Sequence, residues 1–367
     1  MSEPVAVGFT GLVDLAAAAL GGRAVGASDD FFAAADNLVQ PGRGVFIEGK
    51  YTDRGKWMDG WESRRRRAPS AAAGADTVAS GVEGDWCILE LGAAGQILGL
   101  DIDTNHFLGN HPPFASVDGL FAPRGTALDA LAAGAWVQLL AQAPLRPGAQ
   151  NLFAAIPRPA FSHVRLNIFP DGGVARLRVF GRVSAPTVWD TAAADAEARG
   201  RVAPDRVDLA AVKNGGLALA CSDAFFGPMN NLLLPGRSAD MSGGWETRRR
   251  RGPGYDWILI QLGAPGAIDV VEVDTNHFKG NHPDRCSLET IHAPDARITD
   301  LIASDAWSAA LPETKLQAHA RHFFELPQPA PAAGSGTPRL PPATHARLNI
   351  FPDGGVSRLR LWGRRHV

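Results

Sequence analysis

The chain is written twice, and nothing else in it constrains the fold as much. Asp103-Thr104-Asn105-His106-Phe107-Leu108-Gly109-Asn110-His111-Pro112 returns as Asp274-Thr275-Asn276-His277-Phe278-Lys279-Gly280-Asn281-His282-Pro283. Arg165-Leu166-Asn167-Ile168-Phe169-Pro170-Asp171-Gly172-Gly173-Val174 returns from Arg347 to Val356. Trp61-Glu62-Ser63 and the arginines Arg64 to Arg67 return as Trp245-Glu246-Thr247 and Arg248 to Arg251. A packed core needs apolar residues at a period, but it does not need the same acids, amides and arginines twice. The repeated polar strings point to one folded unit used in tandem, with paired sites.

The register is constant over long stretches: Trp86 and His106 meet Trp257 and His277, each 171 residues on. It slips where one copy carries extra chain, at the Ala- and Gly-rich Ser70 to Gly84 and the Pro-rich Pro327 to Pro342. Both compositions suit solvated loops. Residues 1–183 read as the first repeat, 184–205 as a partly helical linker, and 206–367 as the second repeat. Each repeat has ordinary domain size, so this is a pair of domains and not a solenoid.

A chain that is 45% hydrophobic can fill two cores. A formal net charge of -2 argues against salt-dependent binding to nucleic acid. Cys87, Cys221 and Cys286 occupy no matched positions, and an odd count suits reduced thiols in cytosol. Asp14 interrupts the apolar stretch near the start, which makes a poor signal peptide, and no run is long enough to span a bilayer. The reading is a cytoplasmic protein with no membrane partner.

Most of each copy reads as strand and turn. Trp86–Gly92 and Ile97–Asp103 are short apolar runs, the first ended by glycine. Val164–Phe169 alternates, with Arg165 and Asn167 on one face and Leu166 and Ile168 on the other. Pro170-Asp171-Gly172-Gly173 predicts a turn, with Asp171 bonded to the turn's own amides, that closes a hairpin with Arg176–Phe180. Asp14 to Gly21-Gly22, and again Asp208 to Gly215-Gly216, predict a short helix with an Asp cap and a glycine stop. Short strands punctuated by Gly and Pro predict an all-β chain of two β-sandwiches.

Three readings of the arginine runs stay open: a charged strand edge, a carboxylate clamp, and a domain or subunit interface. As a strand, the run puts Glu62, Arg64 and Arg66 on one side, so that Glu62 can hold Arg64. The Asp-Thr-Asn-His string ends a buried strand, where loops gather at a sandwich rim. There His106 and Asp103 suit proton transfer or loop anchoring. No spacing matches an established metal-ligand motif, so no metal and no cofactor are expected.

The strings from Gly55 to Arg65, from Asp103 to Pro112 and from Arg165 to Gly173, together with Ser28-Asp29-Asp30-Phe31-Phe32, closely resemble allantoicase. The resemblance runs in order through both halves. It implies two tandem jelly-roll sandwiches, like galactose-binding domains. It also implies hydrolysis of allantoate to ureidoglycolate and urea in purine breakdown. For that reaction Arg64 or Arg66 and Arg165 are candidates to hold the substrate carboxylate. Asn105, Asn110 and Asn167 would orient the ureido groups. His106, oriented by Asp103 or Glu62, would move the proton. The second-copy equivalents are Glu246, Arg248, Asp274, Asn276, His277, Arg347 and Asn349. The second copy has Gly243 where the first has Asp59, and Ala224 where it has Asp30, which favours the first copy as the reactive one. A homo-oligomer acting on small-molecule allantoate is the expected assembly. The alternatives are a non-catalytic galactose-binding-like module and a hydrolase of a related ureido acid.

Overall fold

The computed structural model describes residues 5–6, 8–66, 84–184, 196–327 and 342–366. Arg67, most of the two inserted loops and the 185–195 part of the linker lie outside them. The chain forms two compact units, Asp14–Ser184 and Ala185–Val367, the second joined by the N-terminal segment. Each is a jelly-roll β-sandwich built on the same plan.

The plan rests on one long strand per repeat, the 19 residues Asp85–Asp103 and the 19 residues Asp256–Asp274. Its first part pairs with Arg23–Ala27 and Phe161–Phe169; beyond Gly95 it pairs with Arg176–Val183 and Leu152–Ala154. The strand therefore serves both layers. Gly92, read from sequence as a strand end, instead lies with Gly95 where the strand changes partners, because an absent side chain admits close backbone approach. A Cβ on Gly92 would meet Leu20, and one on Gly95 would meet the Arg182 backbone. The first layer continues through Phe114–Leu120 to Val137–Pro144. The second repeat copies this with Leu217–Cys221, Ala343–Phe351, Arg285–Ile291 and Ser308–Lys315 in one layer, and Arg358–Arg365 and Arg321–Glu325 in the other.

The expected hairpin does not form. Phe161–Phe169 and Arg176–Val183 pair with opposite ends of the long strand, so the Pro-Asp-Gly-Gly turn links the two layers. The alternation holds: Val164, Leu166 and Ile168 are buried, as are Leu177 and Val179. Each such side chain contributes about 1.5–3 kcal/mol by leaving water. The expected helix at Asp14 is a single 3-10 turn, Ala18–Leu20, with its glycine stop at Gly21. Asp14 does not cap it. Its Oδ1 accepts hydrogen bonds from the Ala16 and Val179 amides, at 3.1 and 2.9 Å, and so ties the chain to the second layer. Asp208 does the same with the amides of Ala210 and Leu361.

Two segments outside the expected second repeat lie in the second unit, and the partly helical reading of the linker holds at Ala196–Arg199. Val5–Ala6 pairs with Cys221 and Ala220, in the second unit. Ala196–Arg199 is helical, and Ala198 and Val202 pack on Val270 and Trp362, so this end of the linker belongs to the second core.

The repeated strings meet at an aromatic plug. Phe107 is fully buried, and its ring lies where a Cβ on Gly173 would be 2.0 Å away and one on Gly60 2.7 Å away. Phe278 stands in the same relation to Gly355 and Gly244. Phe107→Ala and Phe278→Ala should each cost about 3–5 kcal/mol. Urea unfolding followed by tryptophan fluorescence measures this.

Candidate functional site

Around each plug, loops form a polar rim. In the first repeat Glu62 is half-buried and its Oε1 accepts a hydrogen bond from Asn110 Nδ2 at 2.6 Å. Backbone bonds lace the same loops, from Ser63 N to Gly172 O at 3.2 Å and from Gly173 N to Asn110 O at 2.8 Å. Burial pushes the Glu62 carboxyl above its ordinary value, and the Asn110 bond and Arg65 offset part of that. The second repeat keeps the pair as Glu246 and Asn281.

The arginine run is not a strand beyond Glu62, and Glu62 does not hold Arg64. Asp29 does: its Oδ2 takes Arg64 Nε at 2.6 Å and its Oδ1 takes the Arg64 amide at 3.0 Å. Burial raises the Asp29 carboxyl, but the amides of Arg64 and Phe31 and the Arg64 guanidinium together hold it below its ordinary value. Arg66 pairs with Asp85 at 3.0 Å, and its amide donates to Asp171 at 2.7 Å. Asp171 therefore fastens the arginine run and not its own turn. Asp223 and Arg248, Asp256 and Arg250, and Asp353 and the Arg250 amide repeat these contacts. Arg65 is different. Among the described residues it has no carboxylate partner in hydrogen-bond contact, only the Gly109 carbonyl at 3.5 Å, and it is exposed.

Asp103 is 2% exposed and gripped at both oxygens by Arg43, Nε and Nη2 each at 2.8 Å. Asn105 donates to the Gly44 carbonyl at 2.7 Å. Both residues fasten the 42–60 loop over the sheet, as Asp274 with Arg237 and Asn276 with Ser238 do in the second repeat. Asp103 and Glu62 are thus committed elsewhere, and neither orients His106 by a hydrogen bond among the described residues. His106 is exposed on the rim beside Phe46, ring centroids 5.8 Å apart, with φ at 67°. His277 shares that conformation, φ 69°, but is fastened: its Nε2 is 3.1 Å from the Ser238 carbonyl and its amide donates to His319. A histidine in the left-handed region stores strain of about 1–3 kcal/mol, held by its surroundings.

Of the two acids missing from the second copy, Asp59 is structural. Asp59 pairs with buried Arg176 at 2.8 Å and accepts the Val45 amide at 2.9 Å. Where Gly243 replaces it, Arg358 donates to the carbonyls of Gly236 and Gly243, and burial lowers its guanidinium to about 10.

Arg165 and Asn167 are not part of the rim contacts. They lie on the outer face of their layer, where Arg165 pairs with Asp118 at 3.0 Å and stands over Trp136 at 4.8 Å. Asn167 donates to Ser116 and Asp118. Arg347, Asn349, Glu289, Ser287 and Trp307 repeat the arrangement. Both asparagines are buried, and among the described residues each leaves its Oδ1 without a partner. Such an acceptor costs about 1–3 kcal/mol. Sequence reasoning missed Arg65, Asp29, Asp118, Ser116 and Trp136. Asp118 meets Glu289, Ser116 meets Ser287 and Trp136 meets Trp307 at the same 171-residue offset, and that was a readable signal. No group of three or more His, Cys, Asp and Glu residues suited to a metal occurs among the described residues.

These features define a tandem jelly-roll protein whose two rims carry the same acid, amide and arginine groups. The allantoicase repeat matches residues 13–184 and 207–366. A Burkholderia mallei protein named probable allantoicase 1 is 43% identical over 99% of this chain and 98% of its own length. A Photobacterium profundum protein named probable allantoicase is 46% identical over 98% of each. The crystal structure of allantoicase from Saccharomyces cerevisiae superposes with a TM-score of 0.72 at 34% identity, covering 96% of this chain and 93% of that one. The chain belongs to the allantoicase family.

Asp29→Ala should cost roughly 1–3 kcal/mol by freeing the Arg64 guanidinium and two amides. Because this carboxyl is held low when folded, its contribution is present above its ordinary value of 3.8 and fades as pH falls through the folded value. Urea midpoints of wild type and variant should therefore converge as the medium is acidified.

Proposed function

We infer that the chain hydrolyses allantoate to ureidoglycolate and urea in purine degradation. The observation that carries this is the match of both repeats to one enzyme family over nearly the whole chain. Allantoate holds a carboxylate and two ureido groups on one carbon. Water supplies the oxygen of a new C–O bond at that carbon. One C–N bond breaks, and the leaving nitrogen takes a proton to become urea.

We place the reaction at the first rim. Arg65 holds the substrate carboxylate, since Arg64 and Arg66 are occupied by Asp29 and Asp85. Asn110 orients Glu62 and leaves its own carbonyl oxygen for a ureido N–H. Glu62 takes the proton from the attacking water, and burial strengthens it as a base. His106, with its exposed ring, gives a proton to the leaving nitrogen. The second rim is the weaker candidate because its histidine is tied to Ser238.

We also infer a cytoplasmic homo-oligomer. Three free, buried cysteines suit a reducing compartment. Light scattering that finds only monomer at assay concentration overturns the assembly.

Purified protein should release urea from allantoate; folded protein that releases none overturns the function. Glu62→Gln should lower turnover by roughly 10²- to 10⁴-fold. Arg65→Ala should weaken binding about 10- to 150-fold, more than Arg64→Ala does. If Glu62 acts as the ionised base, kcat/KM falls as pH drops through its folded value. That limb should lie above 4.5, the carboxyl's ordinary value, and should vanish in Glu62→Gln. His106→Ala should lower turnover more than His277→Ala.

A further inference from the structure

On the outer face of the second repeat, Tyr255, Trp257, Leu259, Leu301, Ile302 and Arg347 line a cavity of about 230 Å3. That is below the roughly 300–1,000 Å3 of drug-sized sites and suits a small ligand. Its polar equipment is specific. Glu289 holds Arg347 through Nε at 2.8 Å, and Trp307 lies under the guanidinium at 4.8 Å. Among the described residues the terminal nitrogens of Arg347 make no hydrogen bond, whereas in the first repeat Asp118 takes both Nε and Nη2 of Arg165.

Asn349 lies across the ladder from Trp257, on the same face as Arg347. Its amide orientation is fixed, because Nδ2 must face the Glu289 carboxylate at 2.9 Å. Oδ1 is then buried with no partner among the described residues, as Asn167 Oδ1 is in the first repeat. Tyr255, packed on Phe351 at 4.9 Å, adds an aromatic wall where the matched position of the first repeat is Gly84. The duplicated scaffold has thus been altered at this face of one copy only, by Tyr255 and by the longer acid Glu289.

We propose that this cavity binds a small carboxylate carrying a planar amide or ureido group, apart from the rim. The carboxylate meets the terminal nitrogens of Arg347, and the planar group lies against Trp257 and Tyr255. The choice of a ureido acid within that class rests on the reading that the chain handles allantoate.

The test is calorimetric titration with hydantoate, a carboxylate with one ureido group, into the full chain carrying Glu62→Gln and Arg65→Met to silence the rim. Saturable binding is expected. Adding Arg347→Met with Glu289→Gln, which removes both charges together, should weaken it about 10- to 150-fold. Tyr255→Ala, which leaves that ion pair intact, should weaken it too. Propionate, which has the carboxylate but no planar ureido group to lie on the aromatic wall, should bind about 2- to 12-fold more weakly than hydantoate. Absence of binding to folded protein, or affinity unmoved by both sets of variants, overturns the site. Equal affinity for propionate overturns the contact of the planar group with Trp257 and Tyr255. Urea release by wild type, measured in parallel, separates the readings. Binding without urea release sinks the hydrolysis and leaves the site; urea release without this binding sinks the site alone.

Discussion

The burial of one phenylalanine ring organises each rim. Phe107 belongs to the Asp-Thr-Asn-His-Phe string, and its ring fills space left by Gly173 of the Asp-Gly-Gly string and Gly60 before Trp61-Glu62. Three repeated strings, far apart in the chain, are brought together by a single apolar contact. The polar groups they carry need not attract one another to converge. Glu62 reaches Asn110, and Ser63 reaches Gly172, because the plug has already closed the distance. The repetition of the two glycines follows from the same ring, since even a methyl group at either position would overlap it.

On this frame, charge is used mostly as fastening. Asp29, Asp59, Asp85 and Asp103 each hold an arginine, and Asp171 holds an amide. That is why the loudest polar signals in the sequence are poor guides to chemistry. An arginine string invites a substrate role, yet the members gripped by acids are the ones least available. Arg65, between two fastened neighbours, is left facing outward. The absence of Asp59 and Asp30 equivalents in the second copy looked like a catalytic loss. Asp59 instead answers a buried guanidinium, and where it is missing, backbone carbonyls take over.

Much of the architecture was legible in the sequence and the partners were not. Alternation along Val164–Phe169 assigned both faces, because period-two burial is a local property of a strand. The long strand was read as two pieces because Gly92 carries the same local signal whether it ends a strand or lets it change partners. The hairpin failed for a related reason: a turn sequence fixes where the chain reverses, not which strand it then joins. Contacts across sequence distance were hidden altogether. Glu62 seemed the natural partner of Arg64 at two residues' separation, but Asp29, 35 positions away, has the geometry. Only comparison of the copies carries such information, and the matched Asp118 and Glu289 lay in that comparison unread.

The N-terminal strand Val5–Ala6 belongs to the second repeat's sheet, against Leu217–Cys221. In chain terms the first repeat is therefore an insertion between an edge strand and the sandwich it completes. A fragment cut at the linker would leave the second repeat with Leu217–Cys221 as a bare outer edge, free to template pairing between molecules. The duplication cannot be undone by one cleavage. For anyone dividing the chain, the two copies are alike in plan, but the second carries at its edge two residues, Val5 and Ala6, that come from the chain's own beginning.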